Sequence, residues 1–108
     1  MGCAVVFSDS VPAELSVLVP QAANDLLTIN GVEASFVAVD NGAQVSVSAR
    51  SMGDVNVQVI MEKLGGGGHL TMAGAQLRNV SLEEAKRRLL DAISEYRESQ
   101  RTEKQKNS

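Results

Sequence analysis

The chain is poor in aromatic residues and nearly empty of cysteine. Phe7, Phe36 and Tyr96 are its three aromatics, and tryptophan is absent. The core is therefore expected to be aliphatic. The stacking platforms on which single-strand binders lay successive bases are missing. Cys3 stands alone, which excludes an intrachain disulfide and suits a reducing, cytoplasmic setting. No apolar run approaches the ~20 residues of a membrane span, so no membrane contact is expected of this stretch. The start, MGCAVV, lacks the charged and apolar regions of a secretory signal, and Val6 stands where a myristoylation motif has Ser or Thr. The net charge of −3 gives no global basic field to attract nucleic acid.

The 108 residues suffice for one domain with a modest core. Residues 1–50 carry five acids against the single base Arg50, while residues 81–108 mix seven bases with six acids. The second region reads as a solvated helix and tail, not a nucleic-acid patch. Residues 1–2 read as an appended start, 3–97 as the domain and 98–108 as a polar tail that should fray.

The segment CAVVF (3–7) reads as a buried strand. Ser10 and Pro12 predict a helix start, and Pro20 opens a second helix over 20–29. Strands follow over 32–40 and 44–51, joined at Asn41-Gly42, a strong hairpin signal. A helix over 53–65, capped by Asp54 and stopped by Gly65, has Val57, Ile60, Met61 and Leu64 on one face. Residues 73–80 form a late strand. Ser81 and Glu84 have the spacing of a capping box and open a helix to about Glu98, with Leu82, Ala85, Leu89, Ile93 and Tyr96 in one stripe. The order β-α-β-β-α-β-α predicts an α/β fold with a mixed sheet and packed helices.

Four of the nine glycines, Gly65 to Gly68, run directly into His69, the only histidine. Gly65 is explained by a helix C-cap. Four adjacent glycines exceed what a connection needs, and the run reads either as a loose turn or as backbone N–H groups converging on an anion. It is not a Walker loop, because Lys and Ser/Thr do not follow. His69 reads as a structural residue or as a donor beside a phosphate. With no second histidine and no nearby cysteine, a closed metal site is rejected. Arg50 ends an alternating strand on its polar face with Ser46 and Ser48. It reads as a solvated strand end or as a bidentate phosphate clamp, with Ser48, Ser51 and Asn56 as additional hydrogen-bonding groups. Arg78, near the end of the late strand, reads as a surface residue or as a weaker candidate for such a clamp.

SARS at 48–51, DVNVQVIMEKL at 54–64 and GGGGH at 65–69 together resemble the DHH-associated C-terminal domain of DHH-family phosphoesterases. The similarity covers most of residues 3–96, and GVEASFV and GGGGHLT look most like the membrane-bound cyclic-di-AMP phosphodiesterase branch. RecJ-like nucleases and oligoribonuclease-like members share the glycine-histidine motif. The resemblance implies a division of labour. A separate DHH domain, absent here, would hold two manganese ions and cut the phosphodiester. This chain would hold the substrate and be inactive alone. Carried over by position, Arg50 and His69 would contact phosphate, Gly65, Gly66, Gly67 and Gly68 would form a backbone cradle, and Asn56 would be a lesser contact. No catalytic or metal-binding residue is expected in this chain. The implied partners are a cyclic dinucleotide or short oligonucleotide and the DHH domain itself, in a parent anchored to a membrane with this domain in the cytoplasm. The chain departs from the branch at TMAGA (71–75), where a polar Asn is expected near Met72.

Overall fold

The computed structural model describes residues 2–8, 19–29 and 31–106. Its elements are β1 (Cys3–Ser8), α1 (Val19–Leu26), β2 (Ala34–Asp40), β3 (Gln44–Ser51), α2 (Val57–Glu62), β4 (Gly67–Gly68), β5 (Met72–Arg78) and α3 (Leu82–Lys106). The fold is the expected α/β arrangement, with the two-residue strand β4 added. The helix expected from Ser10 and Pro12 falls outside the described residues.

One five-stranded mixed sheet has the spatial order β1-β2-β3-β5-β4. β1 runs parallel to β2, and the other pairs are antiparallel. Asn41-Gly42 makes the expected hairpin. The Asp40 carboxylate accepts from the Gly42 N–H at 2.9 Å, and the Asn41 side chain accepts from Ala43 and Gln44.

The alternation of β3 divides the molecule into two unequal halves. Phe36 and Ala38 of β2, Val45, Val47 and Ala49 of β3, and Ala73, Ala75 and Leu77 of β5 form the main core with α2 and α3. From α3, Ala85, Leu89, Ala92, Ile93 and Tyr96 are buried against them. The opposite face carries only a small apolar cluster, Ala23 with Val37 and Val39, with Leu26 packed against it. The Ser35 hydroxyl donates to the Ala23 carbonyl at 2.5 Å and fastens α1 over β2. Beyond α1 this face is polar: Ser46 and Ser48 from β3, Gln76 and Arg78 from β5. Such a surface gains little from being covered by a helix, and it is left as an open cleft.

The ends of α2 and α3 differ from expectation. α2 starts at Val57, and its N-cap is Asn56, whose side chain accepts from the Val59 N–H. Asp54 lies two residues too early and is not the cap. The Ser81 hydroxyl accepts from the Glu84 N–H as a cap should. The Glu84 carboxylate instead takes Arg87 and Arg88, so the reciprocal half of the capping box is replaced by ion pairs. α3 continues to Lys106, past Glu98, because i,i+3 pairs such as Glu98–Arg101 suit a solvated helix.

Candidate ligand-binding cleft

The glycine run has a different cause at each position. Gly65 is the C′ residue of α2, with φ at +85°. Its N–H donates to Glu62, and the Gly66 N–H donates to Met61 at 2.9 Å. This is the double bond of a Schellman cap. Those two N–H groups are spent on the helix end, so they do not converge on an anion as expected. Gly66 and Gly68 are close-approach positions. A Cβ on Gly66 would sit 2.1 Å from the Gly74 carbonyl oxygen and 2.7 Å from Ala75 Cα, and one on Gly68 would meet Met72 and Ala73 below 3.0 Å. Glycine there lets β4 lie against β5. Gly67 has no such reason. A Cβ there meets nothing within 4 Å, its φ is not positive, and it lines the cleft.

The cleft has a volume of about 650 Å³ and is lined by Gly65 to Gly67, Gly74, Ser46, Ser48, Gln76 and Arg78, with Pro20 at its α1 side. Register places its side chains in order. Ser48 is opposite Gly74, Ser46 opposite Gln76, and Gln44 opposite Arg78. Gly67 pairs with Gly74 from the far side. Among the described residues the lining contains no carboxylate, and Arg78 is its one charged group.

Arg50 continues the same row of β3, one step past Ser48, and is opposite Met72. It does not line the cleft. Arg50 is 9% exposed as a residue, with Nε donating to Asn24 Oδ1 at 3.0 Å and Nη1 to the Ala49 carbonyl at 2.8 Å. Burial pushes its pKa down, yet an arginine stays charged. Among the described residues no carboxylate pairs with it. A buried cation without a counter-ion is costly.

The other sequence-derived candidates are dispersed. Ser48 lines the cleft. His69 is exposed in the turn between β4 and β5, where its N–H donates to the Met72 carbonyl at 2.6 Å. Ser51 is buried, and its hydroxyl accepts from the Gly53 N–H in a turn. Asn56 caps α2 and lines a separate groove with Tyr96. Ser46, Gly74 and Gln76 were not singled out as binding residues. An isolated glycine inside an alternating strand marks close backbone approach, and that signal at Gly74 was available. The strand register that brings Gln76 and Arg78 beside Gly67 was not.

Among the described residues, no three His, Cys, Asp or Glu side chains cluster to hold a metal. No described helix is long and apolar enough to cross a membrane.

Residues 16–99 match the DHHA1 domain family. The chain is 53% identical over 96 residues to the cyclic-di-AMP phosphodiesterase GdpP of Geobacillus thermodenitrificans, covering 88% of this chain and 15% of that protein. It is 56% identical over 81 residues to the Bacillus subtilis GdpP, covering 74% of this chain and 12% of that one. A bifunctional oligoribonuclease and PAP phosphatase NrnA of Thermus thermophilus is 44% identical over 72 residues, 62% of this chain and 22% of its own length. The chain thus spans less than a quarter of each of these relatives.

Proposed function

The chain belongs to the DHHA1 domain family, and from that premise we propose that it holds the substrate of a cyclic-dinucleotide phosphodiesterase. In this reading the bond is cut elsewhere in a longer protein, by a separate DHH domain with two manganese ions that is held at a membrane and turned to the cytoplasm. The observation that carries it is Arg50. The residue is buried, has no carboxylate partner among the described residues, and follows Ser48 on the row beside a cleft whose described lining has no acid. Such a site favours an anion, and a phosphate fits the arginine fork. Ser48 supplies a hydroxyl on the same row. Gly67 leaves the wall flat, so phosphate can reach the backbone. His69 stands at the exposed turn above, within the same glycine-histidine segment, as a donor for the bound ligand.

The relative named as an oligoribonuclease supports a second reading, binding of short oligonucleotides. The cleft offers no aromatic surface for stacking, which favours the compact ligand. The test is hydrolysis by the full-length protein that carries this domain, with cyclic-di-AMP and short oligoribonucleotides compared. Arg50→Lys, which keeps the charge and loses the fork, should lower kcat/KM on cyclic-di-AMP at least tenfold with the fold intact. Wild-type turnover in that variant sinks the role of Arg50. Preference for oligoribonucleotides moves the assignment to the second reading.

A further inference from the structure

We propose that Arg78 is a second anion subsite, so that the cleft measures a ligand carrying two phosphates. This rests on the reading of the cleft as a nucleotide-phosphate site.

The polar row of the sheet has a cation at each end. Arg50 is opposite Met72 at one end, and Arg78 is opposite Gln44 at the other. Ser48, Gly74, Ser46 and Gln76 lie between them. Arg78 is exposed, lines the cleft, and has no ion pair among the described residues. The carboxylate at the same end of the sheet, Asp40, is opposite Val45 in the core-facing row and accepts from the Gly42 N–H of its own turn. In a chain of net charge −3, a cleft whose described lining residues include one cation and no acid is locally selective for anions.

Spacing sets the class of ligand. Gly74, beside Gly67, is four residues from Arg78, or about 13 Å along an extended strand. A single phosphate cannot touch both. Two phosphates separated by a nucleoside cover part of that span and the long Arg78 side chain, reaching inward, covers the rest, with the Gln76 amide between them offering both a donor and an acceptor to a base edge. Arg78 would then add length selectivity to a site whose first phosphate is held beside Ser48 and Gly74, on the Arg50 side of the cleft.

The full-length enzyme provides the assay. Inhibition constants for the linear dinucleotides ApA, with one phosphate, and pApA, with two, are measured against cyclic-di-AMP hydrolysis. Wild type should bind pApA about tenfold more tightly than ApA, the scale of one charge-assisted contact. Arg78→Ala should bring that ratio near one while leaving the ApA constant unchanged, and Arg78→Lys should restore part of it. Arg78 is exposed, so the variants should fold. A tenfold ratio that survives Arg78→Ala overturns the proposal, as does equal weakening of both inhibitors. If wild type neither hydrolyses the cyclic dinucleotide nor binds either inhibitor, the underlying reading fails first and this one with it. That outcome appears before any variant is compared.

Discussion

Asn24 and Arg50, 26 residues apart in sequence, are joined by a 3.0 Å hydrogen bond from the guanidinium Nε to the amide oxygen. This bond ties α1 to β3 and holds the end of the polar row. Asn24→Ala leaves the buried guanidinium with the Ala49 carbonyl as its recorded partner. Loss of a hydrogen bond to a charged group costs about 1.5–3 kcal/mol. Chemical denaturation should show a loss of that size. Millimolar phosphate should recover part of it if the guanidinium accepts an anion, through binding to the folded state alone. An unchanged midpoint in Asn24→Ala would show that the bond does not hold α1.

Asn56 and Tyr96 should behave as structural residues. The Asn56 side chain caps α2, and its backbone N–H donates to the Tyr96 hydroxyl at 3.0 Å. Asn56→Ala should cost about 1 kcal/mol. Tyr96→Phe should cost about 1–3 kcal/mol, because it strips a partly buried N–H of its acceptor. In the full-length enzyme neither should change KM more than about twofold. A large rise in KM for Asn56→Ala, with stability unchanged, would restore it as a ligand contact.

At the start of α3, the Arg87 hydrogen bond, followed by that from Arg88, pulls the Glu84 carboxyl down from its ordinary 4.5 to about 2. A folded pKa below the unfolded one means that the interaction is fully present above the ordinary carboxylate range. It is lost as pH falls from about 4.5 through about 2. Side-chain NMR should therefore find Glu84 titrating near 2, and Arg87→Ala should move it upward. A midpoint near 4.5 in the wild type would refute the pairing.

Much of the fold was legible because its signals are local. Strict alternation in 44–51, the Asn41-Gly42 turn and the apolar stripe of α3 each follow from the period of one element. The start of α2 is not legible locally because Asp54 and Asn56 are both good caps, and the tertiary bond from the Asn56 N–H to the Tyr96 hydroxyl accompanies the cap that is used. The candidate site was less legible. Arg50 and Ser48 share a face by alternation, which sequence shows. That Arg50 is covered by Asn24, and that Arg78 reaches the cleft, depends on strand order and register between segments far apart in the chain. The glycines were grouped by adjacency, although each answers to a different neighbour.

Gly66 and Gly67 therefore provide the sharpest separation of fold from function. They are adjacent and chemically identical, yet their surroundings are opposite. A methyl group on Gly66 overlaps the Gly74 carbonyl and Ala75, which are backbone and strand core. These cannot move without parting β4 from β5. Gly66→Ala should cost about 3 kcal/mol or more. Gly67→Val places its side chain in open space at a non-positive φ, so its stability should stay within about 1 kcal/mol of wild type. The same side chain projects into the cleft opposite Gly74 and occludes it. On the proposed function, Gly67→Val in the full-length protein should raise KM for cyclic-di-AMP at least tenfold while the melting temperature falls by no more than a few degrees. If Gly67→Val unfolds, or if it folds and binds substrate as wild type does, the glycine at 67 is not there for a ligand.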